Sequence, residues 1–113
     1  MNPSDASDLG LSAGDVVRLF NERGACLAGL VVSDDVRRGV VILRTGAWYD
    51  PEEPGTIGSM DKHGNPNVLT QDRPASRLSQ ATAAHTCLVQ VEKFTGTPPP
   101  VTAHNPPAFI SRP

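Results

Sequence analysis

Aromatic side chains are scarce in this sequence: three Phe, one Tyr and one Trp, set against eleven prolines. That balance argues against a helical bundle and for short strands joined by loops. Cysteine is equally sparse. Cys26 and Cys87 stand far apart in apolar runs without a C-x-x-C, which speaks against a zinc site or thiol exchange and favours two buried reduced thiols over a disulfide. No Lys/Arg cluster exceeds Arg37-Arg38 and the formal charge is -2, so the concentrated basic field that nucleic acid requires is missing. No apolar run approaches the roughly 20 residues of a membrane span. The start of the chain has neither a basic segment nor an apolar stretch before Asp5, so the sequence as it stands reads as soluble and cytoplasmic. G-x-S-x-G and G-x-x-x-x-G-K are absent, and His63, His85 and His104 fall into no spacing with a nucleophile. A self-contained active site is not visible, so no catalytic or metal-ligating residue is nominated and the chain reads as one that binds.

What is present is enough for one modest domain of 113 residues. Asn2-Pro3 opens a short helix that Gly10 closes, with Leu9 and Leu11 expected to dock it on the body. Val16 to Glu22 is a strand, Arg23-Gly24 closes a hairpin, and Ala25 to Val32 returns as a run apolar on both faces. Val40 to Leu43 reads as a short buried strand and Cys87 to Phe94 as a closing strand with one wet side. Residues 1–94 form the domain. Residues 95–113, with Pro98-Pro99-Pro100 and Pro106-Pro107, read as a proline-rich extended or disordered tail.

Two long irregular segments remain, and their length is itself a functional hint. The more distinctive runs from Lys62 to Gln80 and contains His63-Gly64-Asn65-Pro66-Asn67-Val68-Leu69-Thr70. Asn65 and Asn67 each carry two donors and an acceptor, and Pro66 between them limits the entropy lost on binding a flat, hydrogen-bonding heterocycle. Val68 and Leu69 pin the loop to a core. An Asn-Pro turn that satisfies only its own backbone fits the pattern equally well. The other segment, Arg44 to Met60, holds Trp48 and Tyr49 side by side, one expected to pack inward while the other reaches a ligand. Asp50, Glu52 and Glu53 lack the spacing of a calcium loop and read as a solvated acidic loop. His85-Thr86-Cys87 offers two ligand types without the second pair that a tetrahedral metal site needs.

The ordered series Asn2-Pro3, Asp5-Ala6, Leu9-Gly10, Gly14 to Arg18, Gly24, Gly46, Trp48 to Pro51, Asn65 to Thr70, Ser76 to Gln80 and Val91-Glu92 resembles the C-terminal molybdopterin-dinucleotide-binding domain of the dimethyl sulfoxide reductase family, biotin sulfoxide reductase branch. The resemblance implies an all-β fold with short helices, a six-stranded double-psi β-barrel. It implies a role as part of a molybdenum oxotransferase for S- or N-oxides, covering the pterin and guanine nucleotide of bis(molybdopterin guanine dinucleotide). The matching positions are Trp48, Tyr49, His63, Asn65, Asn67 and Gln80. The partners would be the remaining domains of the parent reductase, and an export signal on that parent would make it periplasmic. Pro74 and Ala81 stand where the family usually has glycine, bracketing the segment that carries Gln80. Without the resemblance, a freestanding β-barrel adaptor or peptide-binding module, its tail engaging a partner, accounts for the same lack of catalytic residues.

Overall fold

In the computed structural model, which describes residues 1–84 and 87–111, the elements follow the order α1 (Pro3–Asp8), β1 (Val16–Phe20), β2 (Ala25–Gly29), a single 3-10 turn (Pro66–Val68) and β3 (Gln90–Lys93). Asn2 caps α1, its side-chain oxygen accepting from Ser4 N at 2.9 Å, and its Nδ2 donates to Val36 O at 2.8 Å. Gly10 ends the helix at φ +65°. Two turns are not stable alone. Leu11 and Ala6 supply the docking, whereas Leu9, expected to help, is half exposed.

The sheet order is β2-β1-β3 with both pairings antiparallel. Alternation along β1 sends Val17 and Leu19 into the core and Arg18 and Phe20 to the other face. There Arg18 lies over the Phe20 ring at 4.4 Å and pairs with Glu92 of β3 at 2.8 Å, its partner in the register. The core gathers Ala6, Leu11, Val17, Leu19, Cys26, Leu30 and Leu69, joining helix, sheet and the Asn-Pro-Asn loop.

The fold is thus mostly β with short helices, but the described residues form three strands, not six. Val40 to Leu43, read as a buried strand, finds no ladder partner among them. Ile42 is 68% exposed, because an extended segment becomes a strand only where a neighbour completes its hydrogen bonds. The radius of gyration, 16.3 Å, exceeds the roughly 13 Å of a closed domain this size. Val41 and Leu43 pack half-buried against the core without joining the sheet, and a groove runs beside them. No helix among the described residues is long and apolar enough to cross a membrane.

Candidate functional site

The loop bearing Asn65 and Asn67 runs along the edge of β2 and is fastened at both ends. Asp61 holds its start and has no exposed surface. Its Oδ2 accepts from Asp50 N at 2.7 Å, and its Oδ1 accepts from His63 N at 3.1 Å and Asn65 N at 2.8 Å. A carboxylate removed from water needs such donors in place of its hydration. The Asp61 backbone is tied down too, donating to Ala25 O and accepting from Leu27 N, each at 2.9 Å. One side chain therefore fixes both arms of the region, residues 48–50 and 63–65.

At the far end the Leu69 carbonyl accepts from Asn21 Nδ2 at 2.9 Å, Arg23 Nε at 2.7 Å and the Cys87 thiol at 2.9 Å, while the Leu69 side chain is buried. Gly24 makes this clamp possible. A Cβ there would lie 2.7 Å from Val68 O, so the hairpin could not approach the loop with any other residue.

Between the fastenings, Gly64 turns the chain at φ +83° and Asn65 caps the 3-10 turn, its Oδ1 accepting from Asn67 N at 2.9 Å. Asn65 is nearly buried. Asn67 is exposed, and among the described residues its side-chain amide makes no hydrogen bond. Asn65 thus satisfies the local backbone, as an Asn-Pro turn would, while the Asn67 amide faces solvent.

An open cleft of about 510 Å³ lies beside them, lined by Arg23, Tyr49, Ser59, Asn65, Asn67 and Asp72. A larger groove of about 600 Å³ along Val41 to Leu43 is mainly aliphatic and offers little to orient a heterocycle. Of the nominated residues, then, Tyr49, Asn65 and Asn67 meet in one cleft. Trp48 and His63 lie outside its lining but together, His63 Nδ1 standing 3.0 Å from Trp48 O. Both Trp48 and Tyr49 are exposed, so the expected inward packing of one of them does not occur. Gln80 is exposed in a separate turn closed by the Pro74–Thr82 bridge and Ala75 N to Ala81 O at 2.7 Å. Pro74 and Ala81 are not strained, since among the described residues no non-glycine residue has positive φ.

The acidic loop also differs from the sequence expectation. Asp50 is 5% exposed, while Glu52 and Glu53 are solvated. Burial alone would push the Asp50 carboxyl up, but hydrogen bonds from the Thr102 hydroxyl and from Thr102 N and Ala103 N, with the Lys62 ammonium nearby, hold it below the usual carboxylate range. The Cys26 thiol, wholly buried and near the Asp61 charge, is pushed up to about 12 and is chemically inert. Cys87 is a half-buried free thiol. Of the His85-Thr86-Cys87 cluster, His85 and Thr86 lie outside the described residues.

Asp61 and Asp50 organise this region, and neither part is foreseen in the sequence analysis. A signal existed for the first: an aspartate two residues before His63 and three before Gly64 is the pattern of a side chain that bonds its own following backbone. For Asp50 there was none, because its partners are 52 and 53 residues away.

Residues 1–88 match the family model described as "Molydopterin dinucleotide binding domain". The chain is 55% identical over 108 residues to trimethylamine-N-oxide reductase of Salmonella typhi, covering 96% of this chain and 13% of that protein. Identity to trimethylamine-N-oxide reductase 1 of Escherichia coli strain K12 is 56% over 102 residues, 90% of this chain and 12% of the relative. With trimethylamine-N-oxide reductase of Vibrio vulnificus strain CMCP6 it is 50% over 111 residues, 98% and 13%. The chain thus spans about one-eighth of the length of these curated relatives, the 12–13% that each alignment covers.

Proposed function

The chain belongs to the molybdopterin dinucleotide-binding domain family of dimethyl sulfoxide reductase-type enzymes, and from that membership we propose that it holds bis(molybdopterin guanine dinucleotide) within a larger molybdenum oxotransferase for S- or N-oxides. The observation that carries this reading is the unengaged Asn67 amide beside the fixed Asn65, at the rim of an open cleft that Arg23, Ser59 and Asp72 also line. The residues fit the group chemically. Asn67 offers donor and acceptor together, Asp72 accepts, Arg23 donates, and Tyr49 presents a ring face, a set suited to the edge and plane of a guanine.

When bound, the cofactor supplies a molybdenum centre that takes an oxygen atom from the oxide. The residues of this chain bind and orient it. Asn65, Asn67 and Tyr49, which share one cleft, would hold the group there, with Trp48 and His63 beside it and Gln80 on its separate turn as further contacts. No residue here is assigned a chemical step. The names of the relatives favour an N-oxide over biotin sulfoxide as the substrate of the whole enzyme. Its remaining domains would complete the open sheet to a six-stranded double-psi barrel. The adaptor alternative loses ground, because Thr102 to His104 of the tail is engaged within the chain instead of being free for a partner.

Asn67→Ala tests the reading. In the intact reductase it should weaken cofactor retention about tenfold, the scale of one good hydrogen bond to a ligand, while leaving the urea midpoint of this domain unchanged. Full retention, measured as molybdenum and guanine per polypeptide, would count decisively against it.

A further inference from the structure

We infer that Thr102 to His104 form a strap that positions Trp48 and His63, with the Asp50 carboxylate as its catch. The contact spans 52 residues of sequence: Thr102 N donates to Asp50 Oδ2 at 2.6 Å, Thr102 Oγ1 to Oδ1 at 2.7 Å, and Ala103 N to Oδ2 at 3.0 Å. Consecutive backbone N–H groups with a hydroxyl make a concave anion cradle. Asp50 is almost wholly buried, and its carboxylate has one other partner among the described residues, the Lys62 ammonium at 3.7 Å. Removing the strap would leave a buried charge under-compensated, so the catch favours the closed arrangement strongly.

The next residue carries the positioning. The His104 ring stands edge-on to His63 with centroids 5.0 Å apart, and 5.4 Å from Trp48 at a tilt of 46°. It thereby bridges two rings that the Trp48 carbonyl already links to His63 Nδ1. Trp48 is 64% exposed, and an indole so placed loses rotamer freedom on binding a ligand. The strap removes that freedom beforehand, which is how preorganisation gains affinity. What it positions these rings for rests on the cofactor reading above.

Trp48 is the only tryptophan, so its fluorescence reports the strap directly. In the full 113-residue chain, Thr102→Ala and His104→Ala should each raise acrylamide quenching of Trp48 about twofold. Thr102→Ser, which keeps the hydroxyl, should restore wild-type quenching. Guanosine 5′-diphosphate titrated onto the same proteins should bind about fivefold more weakly to the two alanine variants, the scale of ordering one side chain. Unchanged quenching in both alanine variants would overturn the strap whatever the nucleotide does. Changed quenching with equal nucleotide affinity across all variants would overturn the positioning role. A wild-type chain that binds no nucleotide, with quenching still responsive, would overturn the positioning role in this chain and reduce the strap to a structural clasp, while the cofactor reading stands or falls on the Asn67→Ala retention measurement.

Discussion

Asp61 shows how much one side chain can determine. Its carboxylate satisfies three backbone donors from two loops, and an amide in its place would turn a second donor toward one of them. Asp61→Asn should therefore lower stability by about 2–4 kcal/mol, seen as a reduced urea midpoint at constant slope. Cys26 should resist 5,5′-dithiobis(2-nitrobenzoate) at pH 8 until the chain is unfolded, since a thiol pushed up to about 12 supplies almost no thiolate. Asp50 gives a signed pH dependence. Its folded pKa lies below the ordinary 3.8, so its stabilisation is complete above that value and is lost as pH falls through the depressed folded one. The Thr102 and Ala103 amide signals in NMR spectra, which report the catch itself, should accordingly hold down to about pH 4 and shift below it. Asp15, lowered mainly by its hydrogen bond from Lys93, titrates in the same sense, so far-UV circular dichroism should be followed in parallel to separate sheet from strap.

At the scale of elements, the hairpin turn and the Asn-Pro-Asn loop are a single device joined at Gly24. Gly24→Ala places a methyl carbon 2.7 Å from a backbone oxygen, which must push the loop away. The expected result is a loss of about 1–3 kcal/mol, with amide shifts at Asn65 and Asn67 in NMR spectra exceeding those at β3. The helix caps, β1, the hairpin and the Asn-Pro-Asn loop were legible in the sequence because their signals are local: Asn2-Pro3, alternation at Val17 and Leu19, and Asn65-Pro66-Asn67. The strap, the burial of Asp50 and the exposure of both Trp48 and Tyr49 were not. Each depends on contacts between distant parts of the chain, which residue types do not encode. Val40 to Leu43 misled for the converse reason, since its apolar pattern is real but its ladder partner is not among the described residues.

For the whole molecule, the open sheet and the aliphatic groove beside it are the governing facts. Apolar surface of this kind, with Val31 and Ile42 exposed, should bind 1-anilinonaphthalene-8-sulfonate in the isolated chain and lose that binding within the larger enzyme proposed above. Equal dye binding in both would show that the groove stays uncovered. The sheet also ends at β3, whose outer edge carries no partner strand among the described residues. Its two charges are already spent, Glu92 on Arg18 and Lys93 on Asp15, so they cannot repel a newcomer as edge charges ordinarily do. That edge is left open to pair, so sedimentation velocity of the isolated chain should show a dimer that grows with concentration, whereas a monomer at every concentration would show that the edge is protected.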